Sequence, residues 1–124
     1  MSRLRLQWVF PLQYFGLETT PLAADGVLYV TGQNQVFALD ARTGRLLWQY
    51  RVESGIIGQP VSYRGPDGRQ YVAVLSGIGG WPGALVSLAL DIRDSTAANG
   101  WAAALPDLAA HTHPGGALHV FRLP

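Results

Sequence analysis

The side chains able to do chemistry are few and scattered. Glu18, in Gly16-Leu17-Glu18-Thr19-Thr20-Pro21, is a lone carboxylate beside an apolar run. Read alone, it is a solvated charge at a strand end. Trp81 follows Gly77-Ile78-Gly79-Gly80. A flat ring there can wall a small apolar pocket, or simply cover a core beneath a glycine-rich loop. His111 and His113 flank Thr112. Such a pair supplies two metal ligands, but no third accompanies it. The glycine run imitates a phosphate loop, yet the chain has no lysine to complete one. Ser54 and Ser76 lie near glycines without a Gly-x-Ser-x-Gly elbow. Asp91 and Asp94, in Asp91-Ile92-Arg93-Asp94, fit a turn or a helix cap better than an acid–base pair. The cysteine count is 0, which excludes disulfides, zinc–thiolate sites and thiol catalysis within this chain. Either redox compartment is compatible with that count.

Composition bounds what can position these groups. The chain has 124 residues, 48% of them hydrophobic and 14% charged, so it can form a core. Its formal net charge is +1, and its arginines are spread along the chain. No basic stripe marks a nucleic-acid partner. Arg3 and Arg5 precede an apolar stretch from Leu6 to Leu17 that weakly imitates a signal peptide. Gln7, Pro11 and Gln13 interrupt it, and it matches a later segment of the chain. No run reaches the ~18 apolar residues needed to span a membrane.

The chain repeats itself. Arg5-Leu6-Gln7-Trp8-Val9-Phe10 parallels Arg45-Leu46-Leu47-Trp48-Gln49-Tyr50. Asp25-Gly26 and Asp67-Gly68 each sit between β-prone runs, and Asp-Gly is a tight-turn signal because glycine accepts positive φ. Gln35-Val36-Phe37-Ala38-Leu39 parallels Leu118-His119-Val120-Phe121. Asp40-Ala41-Arg42-Thr43-Gly44 makes a further turn, in which Asp and Thr bond nearby amides. The pattern predicts strands over 19–23, 26–31, 35–39 and 45–51, then 59–63, 69–76 and 117–123. The expected fold is all-β: about two propeller-type blades of four antiparallel strands, with a loop and short-helix insert. One domain, 1–124, is expected. Residues 11–52 form its first unit; residues 53–124 form the second, with an insert at 77–116. A strand at 4–10 completes the second unit. Asp94-Ser95-Thr96 is expected to cap a short helix through about Leu105, ended by Pro106 and weakened by Gly100.

The run from Ser54-Gly55-Ile56-Ile57-Gly58-Gln59-Pro60 through Tyr71-Val72-Ala73-Val74-Leu75-Ser76-Gly77, with Gly79-Gly80-Trp81, resembles the C-terminal part of methanol/ethanol dehydrogenases that depend on pyrroloquinoline quinone (PQQ). Gly115-Gly116-Ala117-Leu118-His119-Val120-Phe121 is similar to the end of the lanthanide-type members. Gly16–Trp48 resembles the family's first blade, so 11–52 is first-blade-like and 53–124 last-blade-like, as if joined by an internal deletion. The resemblance implies an eight-bladed ring around PQQ, which accepts a hydride from an alcohol beside a Ca²⁺ or lanthanide ion, with an aspartate as base. It also implies that the metal ligands, that aspartate and a cofactor-clasping vicinal disulfide belong to middle blades that are missing here. No catalytic or metal-binding residue is therefore carried over. Two positions are: Glu18, at a PQQ-contacting glutamate, and Trp81, at the wall of the small-alcohol pocket. Trp8, Trp48 and Trp101 read as packing residues.

The resulting expectation is a fragment or degenerate homologue of a PQQ-dependent alcohol dehydrogenase, inactive as a lone chain, from a periplasmic family. The alternative is a non-catalytic module, either a propeller assembled with further copies or missing blades, or a small β-sandwich.

Overall fold

A computed structural model describes residues 4–12, 19–56, 58–78, 83, 90–91, 93–100, 104–113 and 115–122. The chain divides into two compact units. One is Met1–Ser76 with Leu118–Pro124; the other is Gly77–Ala117.

The first unit holds two antiparallel sheets. Strands β1 (Leu22–Ala24), β2 (Val27–Thr31), β3 (Gln35–Asp40) and β4 (Leu46–Arg51) form the first, in that order. Strands β5 (Val61–Arg64), β6 (Gln70–Gly77) and β7 (Gly116–Arg122) form the second; the last residue of β6 and the first two of β7 belong to the other unit. All seven fall within a few residues of the positions that the alternation predicts. The turns explain why. Asp25 and Gly26 both take positive φ, 47° and 79°, the two-residue geometry whose twist matches a hairpin. In the next turn Asp40 Oδ1 accepts hydrogen bonds from the Arg42 amide, the Thr43 amide and the Thr43 hydroxyl, at 3.1, 2.8 and 2.8 Å. Those bonds hold the Asp40 carboxyl below its ordinary pKa, the Thr43 hydroxyl contributing most. The β5–β6 loop, Gly65–Arg69, is longer than the tight turn expected from Asp67-Gly68. The Gly65 amide donates to the Arg69 carbonyl at 2.8 Å, and Asp67 Oδ1 accepts from the Arg69 amide.

Period-two alternation decides which faces meet. Tyr29 pairs with Ala38 and Thr31 with Val36, so these four share one face of the first sheet. On β6, Val72 and Val74 point one way, and each is only 1% exposed. Together with Tyr29, Val36, Ala38, Val52 and Ile56 they make one core, with Phe121 packed against it. The connector after β4 closes it: the Val52 amide donates to Asn34 O at 2.9 Å and the Ile56 amide to Gln33 O at 2.6 Å. Trp48 and Tyr50 on β4 meet Phe121 on β7, with ring centroids 4.7 and 5.2 Å apart.

The strand expected at 4–10 is absent. Residues 4–12 run as irregular chain, and the second sheet has three strands. Leu4, Leu6 and Val9 are largely exposed. Trp8 instead donates its Nε1–H to the Ala41 carbonyl at 3.2 Å, and Phe10 packs edge-on against Phe37 with centroids 5.3 Å apart. The alternating pattern was real, but these two aromatics are occupied by the first sheet.

The second unit is described by short pieces. The single helix expected from 94 to about 105 is a 3-10 helix, Ala97–Gly100, and a separate helix α1, Leu108–His111. Gly100, at φ 88°, ends the first piece. Asp94 Oδ1 caps the Thr96 amide at 2.8 Å. Among the described residues, no helix is long and apolar enough to cross a membrane.

Two outcomes test the turn at 40–44. Gly44 has φ 72°, and a Cβ added there would lie 2.6 Å from the Trp8 ring. Gly44→Ala should destabilise the fold by about 1–3 kcal/mol in denaturant titration, and Trp8 fluorescence should move toward that of a solvated indole. Asp40→Asn should lower Tm at neutral pH. Because the Asp40 pKa is depressed by folding, its contribution is complete above the unfolded value, about pH 4. It disappears as pH falls through the lower folded value, so the Tm gap between parent and variant should close on acidification.

Candidate functional site

Glu18 and Trp81, the two site positions carried over from sequence, both lie outside the described residues. What can be seen is how the chain beside each is held. Next to Glu18, the Thr19 hydroxyl donates to the Thr31 carbonyl at 3.3 Å and accepts from the Thr31 hydroxyl at 2.7 Å. Thr31 is 2% exposed at the end of β2, so a buried hydroxyl pair ties the residue after Glu18 to the sheet. Ahead of Trp81, Gly77 closes β6 against Gly115 and Gly116. A Cβ at Gly77 would fall 2.5 Å from the Gly115 carbonyl oxygen, and the Ile78 amide donates to that oxygen at 3.2 Å. Only glycine admits that approach.

The remaining candidates separate by function. His111 ends α1, and both it and His113 are exposed, with Thr112 between them half-buried. Among the described residues, no three His, Asp or Glu side chains are grouped so that they could hold a metal ion. Asp91 takes a forked contact from Arg93 (Nη2 to Oδ2 at 2.8 Å, Nε to Oδ1 at 3.0 Å), which lowers the carboxyl pKa. Asp94 is held by Thr96, whose hydroxyl donates to Oδ1 at 2.7 Å. Both aspartates serve local backbone turns.

Two arrangements escaped the sequence reading. Ser76, 6% exposed, has its Oγ 2.8 Å from His119 Nε2 on the neighbouring strand. They stand 43 residues apart, and only the β6–β7 pairing brings them together. The second is Tyr29, 1% exposed, whose hydroxyl has no hydrogen-bond partner among the described residues. Burial, and then the nearby Asp25 carboxylate, push its pKa up. The sequence signal for it was present in Val27-Leu28-Tyr29-Val30-Thr31, where alternation puts a phenol on the core face. Ser76→Ala should leave His119 unpaired at the edge of the core and cost about 1 kcal/mol in chemical denaturation; a neutral result would show that water satisfies His119 instead.

Comparison with known proteins places this scaffold. Residues 5–65 match the β-propeller domain of the PQQ glucose/ethanol/alcohol dehydrogenases. Subunit 1 of the cytochrome c methanol dehydrogenase of Paracoccus denitrificans is 44% identical over 105 residues, covering 85% of this chain and 16% of that protein. The lanthanide-dependent methanol dehydrogenase of Methylacidiphilum fumariolicum is 41% identical over 118 residues, covering 90% of this chain and 19% of that protein. A europium-containing methanol dehydrogenase of known structure superposes with a TM-score of 0.58 at 41% identity, over 85% of this chain and 19% of its own. The chain thus spans less than a fifth of the length of these relatives. Sheets of antiparallel strands stacked face to face, with this sequence in them, make the chain a fragment-length member of the PQQ-dependent alcohol dehydrogenase family, built on part of its β-propeller.

Proposed function

We propose that the chain supplies two neighbouring blades of a PQQ-dependent alcohol dehydrogenase and takes part in alcohol oxidation only together with the other blades. The observation that carries this reading is the coverage: high identity over most of this chain, yet only 16–19% of the relatives. The match runs over 85% of this chain but only 16% of the Paracoccus denitrificans subunit, so its two halves lie close together in that protein's sequence. That continuity supports consecutive blades over a first and a last blade joined near Trp48–Glu53.

Within such a ring Trp81 is the wall of the alcohol pocket; Glu18 was carried over from a first-blade position, a basis that two consecutive blades remove, so its contact with the cofactor is what the hybrid below tests. PQQ, when bound, supplies the hydride acceptor. A carboxylate can face that polyanionic cofactor only through a shared proton, a cation or a bridging water. The Thr19–Thr31 pair would hold the backbone next to Glu18 at fixed height on β2. Trp81 offers a flat apolar surface suited to a short alkyl chain. The described residues offer no cradle for Ca²⁺ or a lanthanide. The reading assigns that ion to the other blades and routes no step through it here. The partners are those blades, supplied by one polypeptide or by further copies.

The test has two arms. The purified chain, given PQQ, methanol, a dye acceptor and Ca²⁺ or Eu³⁺, should show no turnover; turnover would overturn the proposal. Grafted in place of the matching stretch of the lanthanide-dependent methanol dehydrogenase, the chain should retain PQQ absorbance and methanol oxidation. In that hybrid Trp81→Ala should raise KM for methanol more than it lowers kcat, and a fall in PQQ occupancy with Glu18→Gln would restore the cofactor contact. A hybrid that folds but holds no PQQ would count against it.

A further inference from the structure

The β5–β6 hairpin gathers one carboxylate and two phenols. Tyr63 and Tyr71 are direct partners across the two strands. Period-two alternation puts both on the face opposite Val72 and Val74. Their rings stack, with centroids 5.4 Å apart and planes within 13° of parallel. The Tyr71 O–H donates to Asp67 Oδ2 at 2.9 Å. Asp67 Oδ1 accepts from the Arg69 amide at 3.1 Å. One carboxylate oxygen therefore shapes the loop while the other holds the phenol. Gly65 makes room for this arrangement. A Cβ there would collide with Tyr71 Cε2 and lie 3.0 Å from Asp67 Oδ1, so the ring is seated against bare backbone.

We propose that this is an oxidation site: one-electron oxidation takes Tyr71 to its phenoxyl radical as the phenol proton passes to Asp67, and the radical closes on Tyr63 as a covalent dityrosine bond. The first support is the base. A phenol loses an electron easily only if its proton leaves too, because the phenol radical cation is a very strong acid. A carboxylate already bonded to the hydroxyl is the acceptor that step needs. The Arg69 amide, and then the Tyr71 hydroxyl, hold the Asp67 carboxyl below its ordinary pKa, so at neutral pH it is ionised and able to accept. The second support is the partner. A phenoxyl radical spreads its spin over the oxygen and the ring carbons, and the ring stacked on Tyr71 is itself a phenol. The third is access. Tyr63 is 44% exposed and Asp67 is exposed. The other described tyrosines lack this set. Tyr29 is buried, and Tyr50 stacks on Trp48 and not on a second phenol.

The oxidant class is an outer-sphere metal complex of high potential. Two equivalents each take one electron, one from Tyr71 and one from Tyr63, whose proton goes to water. The two radicals join ortho carbon to ortho carbon. Each ring then moves its ortho hydrogen to oxygen and becomes a phenol again. Asp67 returns its proton to water, and the product has lost two hydrogens. The new bond staples β5, a four-residue strand at the sheet edge, to β6. None of these residues is among those assigned to PQQ or alcohol, so the inference stands or falls apart from the functional reading above.

The probe is photogenerated tris(bipyridine)ruthenium(III), dosed at two equivalents into a dilute solution of the full chain. The monomer should lose the mass of two hydrogens and gain dityrosine fluorescence. Trypsin cuts after Arg64 and Arg69, so the link should join peptides 52–64 and 70–93. Asp67→Asn keeps an oxygen for the Arg69 amide but cannot take a proton. It should slow cross-linking by about ten-fold or more. Tyr63→Phe keeps a stacked ring and should abolish the link. Cross-links that join other residues or form only between chains, or an unchanged rate in Asp67→Asn, would each overturn the inference.

Discussion

The face-to-face contact between the two sheets of the first unit is the constraint from which the rest follows. A single blade has two faces and cannot bury either one alone. Here β2 and β3 give one face to β6, and the result is a core only two side chains deep, from Tyr29 and Val36 on one side to Val72 and Val74 on the other. The aromatic group of Trp48, Tyr50 and Phe121 extends the contact to the outer strands. Pairing within each sheet then places Thr31 opposite Val36 and Ser76 beside His119.

The turns were legible in the sequence and the partners were not. Asp25-Gly26, Asp40…Gly44 and Asp67-Gly68 carry their own geometry in two to five residues, so the hairpins and the strands between them followed. Residues 4–10 have the same alternation as β4, and alternation says only that one face will be buried, not against what. In the structure the Trp8 N–H found the Ala41 carbonyl, and Gly44 left room for its ring. That contact depends on a glycine 36 positions away in the chain. The insert shows the converse case. Asp94 marked a helix start correctly, but Gly100 stopped the helix after one turn.

The candidate site was less legible for a related reason. Glu18 and Trp81 were reached through resemblance, because neither carries a local chemical signature that separates it from a surface charge or a covering ring. Ser76 with His119, and Tyr29 with its bare hydroxyl, were hidden differently. Each depends on a contact across the sheets or between strands that residue spacing does not encode. Asp91 and Asp94 were legible in full, since both bind backbone within three residues of themselves.

The second sheet shows what this part of a propeller is patterned for. Its inner face is covered. Its outer face presents Val61, Leu75, Leu118 and Val120, which are 58%, 59%, 61% and 46% exposed. The alternation along β6 is as strict on that side as on the buried one, so the sequence is written for burial on both faces. A sheet patterned in this way belongs to a longer stack. In a stack the functional groups converge from several sheets onto a shared centre, and each sheet contributes one or two side chains. Two sheets therefore specify their mutual packing in full while holding only a small part of any site built at that centre. Stability and chemistry are encoded at different lengths in this architecture.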